Sequence, residues 1–182
     1  TVPDQTDSAD AVELGRVQGD VVFEDVTFSY VPGVPVLNHV SLHARPGQRI
    51  ALVGPTGAGK TTMVNLLSRF YDIEGGSIRI DGLDLRRMTR ASLRRNLGTV
   101  LQQSFLFAES VMENIRYGRV NASDEEVIAA ATLAQADRFI RRLPQGYDTV
   151  LSERGANISE GQRQLIAIAR AILADPRILI LD

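Results

Sequence analysis

Apolar and polar residues alternate in the first half of the chain and recur at helical spacing in the second half. Residues 21–30 show the partial two-residue alternation of a half-buried strand. A turn at 32–35 leads into a second predicted strand at 36–44, and 45–48 turns again. Short apolar runs predict three further strands, at 49–53, 77–80 and 97–101. The first half is therefore predicted to be rich in β-structure.

Helical patterns dominate the second half. Ser123 stands three residues before Glu126, which is the signature of a capping box, and an alanine-rich stretch runs on to Ala134. A shorter helix is predicted around 136–142, a longer one over 158–174, and a buried strand over 177–182. Asp175 and Pro176 are expected to end the long helix, since proline cannot continue it.

Composition and charge are those of an ordered globular domain. Hydrophobic residues make up 44% of the chain and charged residues 23%. No apolar run approaches the ~20 residues that span a bilayer, and the absence of cysteine excludes disulfides and thiolate metal sites. The net charge of −2 argues against a nucleic-acid surface. Residues 1–20 are acidic and lack periodicity, so they are interpreted as a linker.

Lys60 is the single lysine among twenty basic residues, so its position is expected to need an ammonium rather than a guanidinium. It completes the motif Gly-x-x-x-x-Gly-Lys-Thr, in which backbone N–H groups surround a phosphate, the lysine reaches the β- and γ-phosphates and Thr61 faces Mg²⁺. The predicted strand at 49–53 would lead into this loop, and a helix beginning near Gly59 would present its positive end to the anion. The predicted nucleotide-binding residues of the loop are Gly54, Pro55, Thr56, Gly57, Ala58, Gly59, Lys60, Thr61 and Thr62.

A second motif is the apolar run that ends in Asp182. Downstream of a P-loop, such a strand matches the Walker B element, whose carboxylate helps to hold Mg²⁺. Parallel α/β sheets bind ligands at the carboxyl ends of their strands, where Gly54 and Asp182 would both lie. We therefore expect Asp182 to face the metal ion beside Thr61.

A third motif points to a family. Residues 157–164, Asn-Ile-Ser-Glu-Gly-Gln-Arg-Gln, resemble the signature motif of ATP-binding-cassette (ABC) ATPases, usually Leu-Ser-Gly-Gly-Gln. The resemblance covers about residues 20–182. It implies that Tyr30 stacks on adenine and that Gln102, with Gln103 as second choice, touches the metal ion and the attacking water. The implied catalytic residues are Lys60, Gln102 and Asp182, and the implied Mg²⁺ ligands are Thr61, Gln102 and Asp182.

The resemblance extends to exporters of this family, through residues 106–107, 113–118 and 153–155. It implies a head-to-tail dimer in which the signature of one subunit faces the ATP of the other. The signature residues would be Ser159, Glu160, Gly161 and Gln162. Glu160 stands where the family usually has glycine, which resembles one half of a heterodimeric exporter. A non-identical partner subunit is therefore the hypothesis.

The sequence thus predicts the ATP-binding domain of an ABC exporter at the cytoplasmic face of the plasma membrane. The predicted fold is α/β: a P-loop NTPase core sheet with an N-terminal antiparallel β portion and a helical subdomain at about 103–168, within an ABC domain over 21–182. Residues 1–20 would link it to a transmembrane domain in the same polypeptide. The family's catalytic glutamate would follow Asp182, so the chain is expected to be a piece of a longer protein that binds MgATP but hydrolyses it poorly.

Two other classes of ABC protein share these motifs. One is a soluble ATPase subunit of an importer. The other is an ATPase of DNA repair or chromosome organisation, which usually carries long coiled coils between P-loop and signature. The stretch between Lys60 and Ser159 shows no heptads, which disfavours the second class.

Overall fold

The chain divides into two compact units, residues 1–97 and 98–182. A computed structural model describes residues 7–100 and 105–181. Most strand residues lie in the first unit and most helical residues in the second, as the hydrophobic pattern predicts. Among the described residues no helix has the length and apolar character that crossing a membrane requires.

The first unit is built on a four-stranded antiparallel sheet with strand order β2-β1-β3-β4. Its strands are β1 (Val21–Val31), β2 (Val34–Ala44), β3 (Gly75–Ile80) and β4 (Leu83–Asp84). Pro32 and Gly33 form the turn between β1 and β2, and Gly33 has a φ of 82°, which glycine adopts without strain. The predicted strands at 21–30 and 36–44, and the N-terminal antiparallel β portion, are confirmed.

The imperfect alternation along β1 has a structural cause. Val21 and Phe23 are buried two residues apart, but the next buried residue is Val26. The pairing of β1 with β2 shifts register between Phe23 and Val26, which marks an irregularity of the β-bulge type. An extra residue in one strand changes which side chains face the core. The register shift therefore returns Val26 to the buried face after two exposed positions.

The described residues of the first unit also form two α-helices, α1 (Lys60–Leu67) and α2 (Arg90–Asn96). Leu66 of α1 and Leu93 of α2 are almost completely buried, as are Ile80 of β3 and Met88. Burying an aliphatic side chain of this size stabilises the fold by about 1.5–3 kcal/mol. The core of this unit therefore anchors α1, whose first residue is Lys60.

The predicted strand at 49–53 was wrong. Residues 48–54 have no regular structure, and Ile50, Leu52 and Val53 expose 38%, 39% and 93% of their surface. Apolar character alone does not make a strand, because the backbone N–H and C=O groups of a strand need hydrogen-bond partners on a neighbouring strand. In the described part of the first unit, the sheet ends at β2 on one edge and β4 on the other, and neither pairs with this segment.

The acidic residues before β1 pack on the first unit. The Asp7 carboxylate lies 3.6 Å from Arg69 and 3.4 Å from Arg90, and Val17 is buried. Further on, the carboxylate of Asp81 accepts hydrogen bonds from the backbone N–H groups of residues 18, 19 and 20. The described part of residues 1–20 is therefore held by specific contacts, and its interpretation as a linker remains a prediction.

The second unit contains α3 (Val111–Arg116), α4 (Asp124–Leu133), α5 (Asp137–Ile140) and α6 (Glu160–Leu173). Strands β5 (Leu97–Val100) and β6 (Ile178–Leu181) are neighbours in a two-stranded sheet. The capping box is present: Ser123 Oγ accepts from the Glu126 N–H, and Glu126 Oε2 accepts from the Ser123 N–H. The helices predicted for this unit are confirmed, and so are its strands as far as the described residues extend. The predicted burial of the last strand was wrong, since Leu179 and Leu181 of β6 expose 47% and 65% of their surface.

Helices α3, α4 and α6 share one apolar core. Its fully buried members include Val111, Ile115, Val127, Ala131, Ile166 and Ala169. Gly118 follows α3 and approaches α6 so closely that a Cβ atom there would lie 2.1 Å from the carbonyl oxygen of Arg170. This packing fixes α6, whose first turn carries the signature motif, within the second unit.

Candidate functional site

Residues 54–58 form an exposed loop before α1. The N–H of Ala58 donates to the carbonyl oxygen of Pro55 at 3.1 Å, which closes a tight turn. Gly57 and Gly59 have φ values of 85° and 86°, in the region that favours glycine. A Cβ atom on Gly59 would lie 2.7 Å from Cδ2 of Leu37 in β2. Glycine at this position therefore permits both the loop conformation and the approach of α1 to β2.

Lys60 is the first residue of α1 and folds back over this loop. Its ammonium group donates hydrogen bonds to the carbonyl oxygens of Gly54 at 2.7 Å and Pro55 at 2.9 Å. The loop thus bends around the lysine side chain. An ammonium group is a compact charge with three rotatable donors, whereas a guanidinium is a planar fork. Two carbonyl oxygens at 2.7 and 2.9 Å suit an ammonium group, and the need for lysine here remains a prediction.

Tyr30 lies at the end of β1 beside α1. Its hydroxyl group donates to Oγ1 of Thr62 at 3.3 Å and accepts from Nδ2 of Asn65 at 3.3 Å. Its ring packs edge-on against Phe28 and Tyr71, with centroid distances of 4.9 and 5.1 Å. The residue is nevertheless 45% exposed. Hydrogen bonds and ring contacts therefore position this side chain, and almost half of the residue is open to solvent.

The two threonines after Lys60 differ in their surroundings. Thr61 is exposed at the start of α1. Thr62 is 6% exposed, and its hydroxyl group accepts the hydrogen bond from Tyr30. The structure thus brings Tyr30, the loop and α1 together within the first unit. Gln102, Gln103 and Asp182 lie outside the described residues.

The signature residues lie together where α6 begins. Ser159 is the N-cap: its hydroxyl group accepts from the Gln162 N–H at 3.2 Å, and Oε1 of Gln162 accepts from the Ser159 N–H at 2.9 Å. This is a second capping box, which the spacing Ser-x-x-Gln indicates and the sequence analysis missed. Glu160 and Gly161 are exposed in the first turn, and a Cβ atom on Gly161 would meet nothing within 4 Å.

Arg163, one turn further along α6, braces the loop before the signature. Its Nη1 donates to the carbonyl oxygens of Gly155 at 3.3 Å and Ile158 at 3.0 Å. Gly155 is buried with a φ of 66°, and a Cβ atom there would lie 3.1 Å from Leu106. Sequence reasoning missed this bracing role, because nothing in the local pattern shows which carbonyl groups an arginine reaches.

A metal ion at this site would need oxygen ligands from several places. In the described ranges 7–100 and 105–181, no group of three or more His, Cys, Asp and Glu residues could hold one. The predicted ligand set of Thr61, Gln102 and Asp182 consists of hydroxyl, amide and carboxylate groups, and their oxygens are the donors that Mg²⁺ prefers. Thr61 is exposed at the start of α1, and the other two lie outside the described residues.

Comparison with known proteins decides the family. A model of the ABC transporter family matches residues 37–182. The chain belongs to the ABC transporter family. The family resemblance inferred from the motifs is thereby confirmed. The mixed α/β fold is confirmed as well, because a solved structure of a bacterial Atm1-family ABC exporter with ATP bound superposes on this chain with a TM-score of 0.92. That structure is 46% identical and is matched over 97% of this ABC chain and 31% of its own length.

Curated relatives of this ABC chain are longer proteins. The uncharacterized ABC transporter ATP-binding protein YfiC of Bacillus subtilis is 56% identical over 179 residues, which are 98% of this chain and 30% of the relative. The fatty acid ABC transporter ATP-binding/permease protein of Mycobacterium bovis is 53% identical over 93% of this chain and 27% of its own length. The beta-(1→2)glucan export ATP-binding/permease protein NdvA of Nitrobacter winogradskyi is 52% identical over 100% of this chain and 30% of its own length. The chain thus spans less than a third of these relatives.

Proposed function

We propose that this ABC chain binds MgATP through residues 54–62 as the ATP-binding part of an exporter. The observation that carries this proposal is the position of Lys60. Two of its three donors hold the carbonyl oxygens of Gly54 and Pro55, which leaves one donor for a phosphate oxygen. The first N–H groups of α1 lack intrahelical partners and add a partial positive charge at the same point.

The other nucleotide contacts follow from the placement of Tyr30. Its hydroxyl group is hydrogen-bonded to Thr62, two residues after Lys60, so the side chain lies beside the start of α1. The proposed role of the exposed part of the ring is to stack on adenine. Thr61, Gln102 and Asp182 are proposed to hold Mg²⁺, which would bridge the β- and γ-phosphates and neutralise their charge. Lys60, Gln102 and Asp182 are the proposed catalytic residues.

The proposed whole activity is ATP-driven export. It is supported by relatives whose names combine an ATP-binding part with a permease or with export, and by the likeness to an ABC exporter. By analogy, the permease part would belong to the same polypeptide, with this domain on the cytoplasmic face of the membrane. An importer subunit and a DNA-repair or chromosome ATPase find no support in these names.

The proposed partner is a second nucleotide-binding domain, arranged head to tail. Glu160 and Gly161 are exposed in the first turn of α6, where a helix attracts anions, so the signature could face the ATP of a partner. The Glu160 carboxylate, however, would repel a γ-phosphate: at ~6 Å and an effective dielectric constant of ~20 the cost is about 3 kcal/mol. A non-identical partner subunit, whose ATP site tolerates slow turnover, is the proposal that fits this residue.

Nucleotide binding is the property to measure first. Binding reports directly on the loop at 54–58 and on Tyr30, which carry the proposal. Calorimetric titration of MgATP into the 182-residue chain is expected to saturate at one nucleotide per chain and to weaken when EDTA removes the metal ion. No binding of ATP in the presence of Mg²⁺ would overturn the proposal.

A further inference from the structure

Arg170, in the last part of α6, binds a segment more than fifty residues before it. Its Nε donates to the carbonyl oxygen of Asn114 at 2.8 Å, Nη1 to that of Phe105 at 3.0 Å, and Nη2 to Oδ1 of Asn114 at 3.1 Å. The guanidinium group also lies 5.5 Å from the ring centre of Phe107 and 5.6 Å from that of Tyr117. Burial lowers the pKa of Arg170. All three acceptors are neutral oxygens, and their arrangement fits a planar fork.

Asn114 is fully buried in α3 and organises the same segment. Its Nδ2 donates to the carbonyl oxygens of Phe107, Glu109 and Ser110 at 3.0 to 3.2 Å, and its Oδ1 accepts from the Phe107 N–H at 2.9 Å. The Asn114 side chain thus binds the backbone of the loop at 107–110. Arg170 and Asn114 together are called the clamp below.

The clamp leaves little room for relative movement between α6 and residues 105–118. Gly118 approaches the backbone of Arg170, as described above, so the segment touches α6 at this residue from a second side. At the same time Phe105 and Tyr117 are 56% and 61% exposed. The segment is therefore anchored to α6 on one side and accessible on the other.

The other end of α6 carries the signature. Helix α6 has no break between Glu160 and Leu173, and at ~1.5 Å per residue its two ends are about 20 Å apart. Arg163 and Arg170 are two turns apart on one face of this helix. Arg163 holds the loop before Ser159, whereas Arg170 holds the segment that follows Gln102.

We propose that Arg170 and Asn114 are positioning residues that set the signature end of α6 by the position of residues 105–118. This inference rests on the proposed function, in which Ser159 faces the ATP of a second subunit. A displacement of the accessible segment would pass to α6 through the three hydrogen bonds of Arg170, and the continuous helix would carry it to Ser159. The clamp therefore links the region after Gln102 to the signature motif.

Amide hydrogen exchange of the 182-residue chain, followed by NMR, tests this link. Arg170→Lys keeps the charge but loses the fork. We expect the Phe107 amide, which the clamp binds, and the Gln162 amide, which Ser159 binds, to exchange roughly tenfold faster in this variant. The Val127 amide in α4 reports global opening and should keep its rate. The matched control, Arg177→Gln, removes an exposed arginine just beyond α6 and should change none of the three.

Two results would overturn the positioning role. Faster exchange at Phe107 alone would make the clamp a local contact, and equal acceleration at all three amides would make it a contribution to overall stability. Should Arg170→Lys unfold the second unit, Tyr117→Ala perturbs the segment from its exposed side. Coupling then predicts a chemical-shift change at the Gln162 amide, and its absence would refute coupling.

MgATP titration of the same wild-type sample separates the two proposals. If the wild-type chain binds no MgATP, the proposed function fails whatever the exchange rates are. If it binds MgATP while the Phe107 and Gln162 amides respond independently, only the positioning role fails.

Discussion

The hydroxyl group of Tyr30 donates a hydrogen bond to Oγ1 of Thr62 across 3.3 Å, and this contact joins the end of β1 to the first turn of α1. The contact restrains the aromatic ring beside the helix that begins with Lys60. A site that binds a nucleotide at both its base and its phosphates benefits from such restraint, because less freedom is lost on binding.

Tyr30→Ala is expected to weaken ATP binding much more than the binding of inorganic triphosphate. The reason is that an aromatic ring contacts the base alone, and stacking is worth ~1–3 kcal/mol in nucleic-acid-binding proteins. Titration of both ligands into wild type and variant measures the difference. Tyr30→Phe is the control, since it keeps the ring and removes the hydroxyl group. Equal weakening of both ligands would make Tyr30 a packing residue.

Lys60→Ala is expected to abolish nucleotide binding and leave the fold intact. Lys60→Arg should also fail to bind nucleotide. The carbonyl oxygens of Gly54 and Pro55 contact the ammonium at 2.7 and 2.9 Å, and a planar guanidinium does not fit between them. A fluorescent ATP analogue reports binding, and circular dichroism reports folding. Arg177→Ala removes an exposed positive charge elsewhere and should bind normally. Wild-type affinity in Lys60→Ala would contradict the P-loop assignment.

Ser159→Ala should lower the free energy of unfolding by about 1 kcal/mol, because it removes the N-cap of α6. Ser159→Asp is the matched control, since aspartate is an equally good N-cap. Urea unfolding of the three proteins gives the values. Because the proposed role of Ser159 is to face the ATP of a partner subunit, its loss should not change the affinity of the single chain for MgATP. Unchanged stability in Ser159→Ala would show that the capping box contributes little.

Gly118→Ala and Gly161→Ala form a matched pair with opposite expected effects. A Cβ atom on Gly118 would lie 2.1 Å from a backbone oxygen of α6, whereas one on Gly161 would meet nothing within 4 Å. Gly118→Ala should therefore destabilise the chain by ~1–3 kcal/mol or more. Gly161→Ala should be stabilising by up to ~1 kcal/mol, because alanine is the better helix former. Equal denaturation midpoints would contradict the described packing of α6.

Glu160→Gly should raise ATP turnover at the site that this signature forms with a partner subunit. The change removes a carboxylate from the neighbourhood of a γ-phosphate, a repulsion of about 3 kcal/mol at ~6 Å. ATPase assays of the assembled transporter measure it, with Glu160→Gln as the control that removes charge but keeps size. An active homodimer whose turnover is unchanged by Glu160→Gly would refute both the repulsion and the non-identical partner.

Interactions between residues close in sequence were predictable without a structure. The capping box of Ser123 and Glu126 depends on atoms within one helical turn, and the hairpin of β1 and β2 depends on a two-residue turn between alternating runs. The phosphate loop likewise follows from nine consecutive residues. In each case the preference of the local backbone and the final fold agree, so the sequence pattern by itself determined the element.

Interactions across long separations were decided by the tertiary structure alone. Residues 49–53 read as a strand but are irregular, because a strand also needs a partner, which no local pattern supplies. Arg170 and Asn114 are 56 residues apart, and neither residue type indicates the other. The residues around Gly118 do not indicate that α6 passes beside it. Periodicity records which face of an element is buried, whereas the identity of the neighbour depends on how the whole chain packs.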